Sequence, residues 1–126
     1  MLQKLTLGNR IRLSVPADVS PSVEPSIDSG ASLLRGEGVT VIFDEGPFSD
    51  PLTSYSNRPN YRMTDEVIGG RRARVVSFKP EDGGHYVAAH FLDESESGGL
   101  VTVAVQTAKG VPPEVGAAIV QSVAFL

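Results

Sequence analysis

The stretch DEVIGGRRARVVSFKP, residues 65–80, predicts a β-hairpin from which the fold can be built outward. Gly69 and Gly70 form its turn, because a two-residue hairpin turn of the primed type needs positive φ, which glycine adopts without strain. Counting outward places Asp65 opposite Arg74, an opposite-charge pair that favours this register. The same count pairs Ile68 with Arg71, Val67 with Arg72, Glu66 with Ala73, Met63 with Val76, and Tyr61 with Phe78.

The hairpin region is rich in arginine. Residues 58–79 hold six basic and two acidic residues, whereas the whole chain carries a net charge of −4. The arginines have acidic partners in the same hairpin: Asp65 is opposite Arg74, and Glu66 is predicted to lie diagonally near Arg71 and Arg72. A structural role for the arginines is therefore the leading interpretation. The local surplus of positive charge leaves an anionic partner at Arg71 and Arg72 as the alternative. Nucleic acid is less favoured, because the chain is acidic and has few aromatic residues.

Alternation of apolar and polar residues predicts further strands. In RIRLSV, residues 10–15, Ile11, Leu13 and Val15 share one face of a half-buried strand. Other strands are predicted over residues 2–7, over residues 31–35 and 39–45 as a hairpin around Gly36-Glu37-Gly38, over HYVAAHFLD from residue 85, and over residues 100–107.

Two long loops interrupt these strands. Residues 16–30 contain three prolines and four serines. Because proline lacks a backbone donor and has a fixed φ, this segment is predicted to be a surface loop. Residues 46–60 are predicted to form the second loop. Its Tyr55 and Arg58 are candidates for lining a groove, the alternative being a loop packed on its own side chains.

The C-terminal segment has the pattern of a helix. Residues 112–123 are predicted to be an amphipathic helix, since Pro112 and Pro113 are tolerated in a first helical turn and Glu114 suits the positive end of the helix dipole. Its predicted apolar stripe consists of Val115, Ala118, Ile119, Ser122 and Val123. The elements together predict an α+β fold: a mainly antiparallel sheet of six to seven strands with a C-terminal helix on one face, in a single domain spanning residues 1–126.

Composition excludes several classes of protein. The chain has no cysteine, so disulfides and thiolate chemistry are absent. No apolar run is long enough for a signal-peptide core or a membrane span. The chain is therefore expected to be soluble and cytoplasmic, without membrane association.

Strong catalytic and metal-binding motifs are missing. The chain contains no phosphate-binding glycine loop, nucleophile elbow or zinc-protease helix motif. His85 and His90 are an odd five residues apart, which puts them on opposite faces of a strand and argues against a shared metal. His90 is expected to be a hydrogen-bonded sheet residue. The acidic clusters within residues 44–50 and 93–96 are expected to be solvated hairpin ends. No catalytic residue, metal site or cofactor is predicted.

The order of these segments resembles that of PsbP-like domains. RIRLSVPADV resembles the opening strand of such domains, and VIFDEG, GPFSDPLTS, IGGRRARVVSF and the terminal SVAFL are similar to segments of small, uncharacterised bacterial members. The resemblance implies an antiparallel sheet flanked by helices, an α/β/α sandwich. It also implies a binding or accessory module rather than an enzyme.

Three functional hypotheses follow. The first is a non-catalytic binding or accessory domain with a protein partner, for which the candidate partner- or anion-binding residues are Arg71, Arg72, Arg58 and Tyr55. The second is a small enzyme with a pocket between the 46–60 loop and the sheet, formed around Asp44, Tyr55, Arg58 or His90. The third is an anion-binding homodimer.

Overall fold

Ten β-strands and one α-helix make up the described part of the chain. The computed structural model describes residues 2–7, 11–21, 31–45, 52–81, 83–91 and 101–126. The elements are β1 (Leu2–Leu7), β2 (Ile11–Pro16), β3 (Ser20–Pro21), β4 (Ala31–Gly36), β5 (Val39–Glu45), β6 (Arg62–Ile68), β7 (Arg71–Phe78), β8 (His85–Phe91), β9 (Val101–Thr107), α1 (Pro113–Gln121) and β10 (Ala124–Phe125). In these ranges no helix has the length and hydropathy needed to cross a bilayer. The predicted α+β class, mainly antiparallel with one C-terminal helix, is confirmed.

The strands form two antiparallel sheets. The larger has seven strands in the order β3-β4-β5-β9-β8-β7-β6, and the smaller has three in the order β1-β2-β10. The larger sheet has seven strands, the number predicted for a single sheet, but the predicted strands at residues 2–7 and 10–15 belong to the smaller sheet, and β3 lies in a segment predicted as loop. The division into two sheets was not predicted, because alternation identifies strands and not the strands they pair with. Within the larger sheet, β9 lies between β5 and β8, which leaves β6 at one edge.

The main core lies between one face of the seven-stranded sheet and a layer made of α1 and β2. We call this face the inner face; it carries Val41, Phe43 and Val103, whose side chains are 1% exposed or less. The core also includes Ile11 and Leu13 of β2, as the alternation of that strand predicted. Burying each of these side chains stabilises the fold by about 1.5–3 kcal/mol.

The helix is shorter than predicted, and its buried stripe is rotated by one residue. It spans Pro113–Gln121, and its buried residues are Gly116, Ile119 and Val120, whereas Ala118 is exposed. Gly116 is the reason for the offset: a Cβ there would lie 3.0 Å from Cγ1 of Val87, so the helix makes a close approach to the sheet at a residue without a side chain. A pattern built from apolar side chains cannot register that contact.

The predicted loop at residues 16–30 is partly structured. Val19 is buried, and Ser20–Pro21 forms the short strand β3, which pairs with β4 at the edge of the larger sheet. The side-chain amide of Gln3 holds the preceding turn, because its two N–H groups donate among the carbonyl oxygens of Pro16, Ala17 and Val19, which lie 3.2, 3.0 and 2.6 Å from Nε2. Residues 22–30 lie outside the described ranges, as do residues 46–51 of the second predicted loop.

The opposite, outer face of the seven-stranded sheet carries a smaller apolar cluster. Leu52, Val76, Phe78, Ala88 and Ala104 are buried there, and Tyr55, Tyr61 and Tyr86 pack against them. Part of the second long loop, residues 52–61, therefore covers the outer face over β7 and β8. The second helical layer implied by the PsbP-like resemblance has no counterpart within the described ranges.

Candidate binding surfaces

The β6–β7 hairpin has the register predicted from its glycine turn. Its ladder runs without interruption from Ile68 opposite Arg71 to Arg62 opposite Ser77. Gly69 and Gly70 have φ of 61° and 82°, so both central positions are in the left-handed region that a primed turn requires. The hairpin is therefore a fixed framework from which the positions of the arginines follow.

Arg71 and Arg72 lie on opposite faces of the sheet. Arg71 faces inward, and its guanidinium carbon is 4.2 Å from the centre of the Phe125 ring. That ring in turn meets Phe91 edge to face at 4.9 Å. Arg72 is exposed on the outer face, across from Val67. The two arginines are adjacent in sequence, but the alternation of a strand prevents them from presenting one shared anion site.

The predicted diagonal contact of Glu66 with both arginines is wrong for Arg72. Glu66 faces inward and Arg72 outward. The Glu66 carboxylate accepts hydrogen bonds from the Thr64 hydroxyl at 2.7 Å and from the Gln121 amide at 2.8 Å. Its role is to connect β6 with the end of α1.

Tyr55 and Arg58 come together on the ring of Phe78. Tyr55 stacks on Phe78 at 5.2 Å, and the guanidinium carbon of Arg58 lies 5.6 Å from the same ring centre. Tyr86, on the neighbouring strand β8, also stacks on Phe78, with the two ring centres 4.5 Å apart. The predicted Tyr61–Phe78 pair is replaced by these two ring contacts, with Tyr61 packed against the same cluster.

The four candidate residues do not form one site. Arg72 lies on the same outer face as Phe78 but six residues earlier on β7, about 20 Å away at the rise of a strand. Arg71 lies on the inner face. The structure thus brings Tyr55 and Arg58 together and separates both from the arginines of the turn.

The histidines lie on opposite faces, as predicted. His85 pairs with Thr107 and faces inward, whereas His90 pairs with Thr102 and faces outward. His90 is 3% exposed, and its Nδ1 is 2.8 Å from the Thr102 hydroxyl. Among the described residues, no group of three or more metal-ligating side chains comes together. The acidic residues Asp50, Asp93, Glu94 and Glu96 lie outside those ranges.

An exposed apolar pair on the edge strand β6 was missed by the sequence argument. Met63 and Val67 are 48% and 69% exposed and share the outer face of β6 with Asp65 between them. The turn geometry also fixes the backbone: Ile68 and Arg71 close the turn with hydrogen bonds, and alternate pairs of an antiparallel ladder repeat that arrangement. The N–H and C=O groups of Met63, Asp65 and Val67 therefore point away from β7, toward the open edge.

Comparison with known proteins identifies a similar fold and no family. No family model matches the chain, and no curated protein matches it. The chain is similar to a crystal structure of a Bacteroides thetaiotaomicron VPI-5482 protein at 1.50 Å resolution, with a TM-score of 0.56 and 10% identity. The alignment covers 92% of this chain and 45% of that one, so this chain spans less than half of that protein's length. At this identity the likeness shows the fold alone. The PsbP-like resemblance stays a prediction.

Proposed function

We propose that the chain is a non-catalytic binding module whose protein partner adds an extended strand to the edge of the seven-stranded sheet at β6. The observation that carries this proposal is the exposure of Met63 and Val67 on β6, beyond which no further strand lies among the described residues. Strand addition of this kind derives affinity from main-chain hydrogen bonds and specificity from alternate side chains.

The composition of β6 favours an edge that pairs with a partner strand over an edge that stays in contact with solvent. Natural edge strands are commonly protected by shortness, proline, a bulge or charge. β6 has seven residues in an uninterrupted ladder and contains no proline. Asp65 is the one protective charge on its outer face, and it lies between two exposed apolar side chains.

Asp65 favours a different chain over a second copy of this one. Antiparallel pairing of two β6 strands that sets Met63 against Val67 of the second copy also sets the two Asp65 carboxylates opposite each other, which is destabilising. A partner strand with lysine or arginine at that position would gain an opposite-charge pair instead. The expected partner sequence is therefore apolar, any residue, basic, any residue, apolar.

A labelled heptapeptide tests this expectation. The probe is the capped peptide Thr-Val-Thr-Lys-Thr-Val-Thr, and its control carries glutamate in place of lysine. Fluorescence anisotropy should show tighter binding of the lysine peptide by about 1 kcal/mol, a factor of about five, from the change between an opposite-charge and a like-charge cross-strand pair. Asp65→Asn should remove this preference. Glu114→Gln, the matched control, makes the same change in net charge on the exposed first turn of α1 and should retain it.

Three results would contradict the proposal. The first is equal affinity for the two peptides, and the second is the absence of binding at millimolar peptide. The third is a dimer in sedimentation velocity that Val67→Lys dissociates, because a second copy would then be the occupant of the edge.

The enzyme alternative has weaker support. It needs Asp44 and His90 to converge with Tyr55 and Arg58. Asp44 and His90 lie on one cross-strand row, on either side of Thr102. The row that contains Phe78, where Tyr55 and Arg58 pack, is four residues further along the strand, about 13 Å away. That separation favours the binding module.

A further inference from the structure

A groove on the inner face lies between α1 and the β6–β7 hairpin. The helix packs over β8, β9 and β2, so the hairpin extends past it and leaves an open space of about 370 Å³. This volume is at the lower end of the range for sites that bind small molecules. The groove is separate from the open edge, because it lies on the opposite face of the sheet from Met63 and Val67.

The middle of the groove is apolar. Val75 and Val87 line it from the sheet, and Val120 and Ala117 line it from the helix. Val120 is 1% exposed and belongs to the main core, so this surface is fixed by packing rather than by loop conformation. An apolar ligand body would displace water from Val87 and Ala117, which are the accessible members of this lining, whereas Val75 and Val120 form its buried floor.

The two ends of the groove differ in charge. At one end, the Glu66 carboxylate is already hydrogen bonded to Thr64 and Gln121. Arg62 lies four residues away on the same face of β6, about 13 Å along the strand. The groove therefore has a carboxylate whose hydrogen bonds are already formed at one end, and the guanidinium of Arg62 at the other.

The cationic end has three side chains whose polar groups are not engaged. Arg62 and Ser77 are directly opposite each other across β6 and β7, and His85 is on the next strand, diagonal to Ser77. In the part of the chain that the structure describes, no hydrogen bond or ion pair occupies the Arg62 guanidinium, the Ser77 hydroxyl or the His85 ring. Cβ atoms at such positions are about 5 Å apart across the pair and about 7–8 Å apart on the diagonal, which lets them approach one small group.

We propose that this groove binds a small monocarboxylic acid with an apolar body. The planar guanidinium of Arg62 presents parallel N–H donors that fit the two oxygens of a carboxylate, and the Ser77 hydroxyl supplies a further donor. The apolar body rests on Val75, Val87 and Val120. A single negative charge is favoured over a dianion, because Glu66 closes the other end and the chain carries a net charge of −4.

The probe that tests this site is 4-phenylbutanoate, with 4-phenylbutylamine as the cation of similar shape. Titration of the ¹⁵N-labelled chain should shift the amide signals of Ser77, Val87 and Val120 with the acid and leave them unchanged with the amine. Arg62→Gln should weaken binding of the acid about tenfold or more, since it removes a charge-assisted pair. Arg12→Gln, on the exposed face of β2, removes the same charge elsewhere and should bind as the original chain does.

A second variant tests the apolar half of the site. Ala117→Phe places a ring in the groove from an exposed helix position and should abolish the shifts at Ser77 and Val87. Equal binding of the acid and the amine would overturn the proposal, as would equal affinity of Arg62→Gln and Arg12→Gln. Absence of shifts at millimolar acid would overturn it as well.

Discussion

The two glycines of the β6–β7 turn provide a matched pair for testing whether the turn packs against the backbone at Val123 and Ala124. Gly69 and Gly70 are adjacent, both have positive φ, and alanine at either position is strained by about 1 kcal/mol. A Cβ on Gly70 would meet no atom within 4 Å. A Cβ on Gly69 would lie 2.5 Å from the carbonyl oxygen of Val123 and 3.3 Å from Cα of Ala124.

The expected difference between the two variants comes from that contact alone. The neighbour of Gly69 is backbone, which moves less readily than the end of a side chain, and overpacking of this kind costs about 1–3 kcal/mol. Gly69→Ala should therefore lower the free energy of unfolding by about 2–4 kcal/mol and Gly70→Ala by about 1 kcal/mol. The midpoint temperatures should differ by several degrees, at about 3–5 °C per kcal/mol for a chain of this size.

Urea unfolding followed by far-ultraviolet circular dichroism measures both variants. The denaturant slope should stay the same in each, so that the midpoint reports the change in stability directly. Equal destabilisation by the two alanines would refute the reasoning, because it would show that the turn does not rest on the segment that joins α1 to β10.

Three further substitutions test other contacts of the fold by the same measurement. Ser122→Ala should lower the free energy of unfolding by about 1–2 kcal/mol, because the Ser122 hydroxyl accepts from the backbone N–H of Ser14 at 2.8 Å and donates to the carbonyl oxygen of Ile119 at 2.6 Å; full stability of the variant would contradict this. Thr102→Val should cost about 1–3 kcal/mol by leaving the buried His90 imidazole without that partner, and a smaller loss would show that the bond contributes little. Leu52→Ala should cost about 2–4 kcal/mol, because Leu52 is 1% exposed within the outer cluster; a loss near zero would show that residues 52–61 do not seal the outer face.

Local features of the fold were predictable from the sequence. The β6–β7 register follows from the two glycines of the turn and from the alternation of apolar and polar residues on either side of them. All of these residues are close together in the sequence. The β4–β5 hairpin was predicted around Gly36-Glu37-Gly38; in the structure Gly36 pairs with Val39, so the turn consists of Glu37 and Gly38 alone. Hairpins are specified by their own turns, so sequence patterns describe them well.

Features that depend on distant parts of the chain were not predictable. The position of β9 between β5 and β8 is a contact between segments far apart in sequence, and the two-residue strands β3 and β10 have no periodicity to detect. The helix stripe was misplaced because Gly116 contributes a close approach instead of a side chain.

The grouping of the candidate residues depends on parts of the chain that are distant in sequence. Arg71 and Arg72 were grouped because they are neighbours in sequence, but Arg71 packs on Phe125, whose position depends on β10. The exposure of Met63 and Val67 depends on β6 being an edge strand, which is a property of strand order rather than of the strand. The groove at Arg62 depends on where α1 crosses the sheet.

Hydrogen exchange at β6 tests the central claim most directly. The amides of Met63, Asp65 and Val67 point to the open edge, whereas those of Thr64 and Glu66 already bond to β7. Addition of the lysine heptapeptide should slow exchange at the first three and leave the other two unchanged. Unchanged exchange at Met63, Asp65 and Val67 with the peptide at saturating concentration would contradict strand addition at this edge.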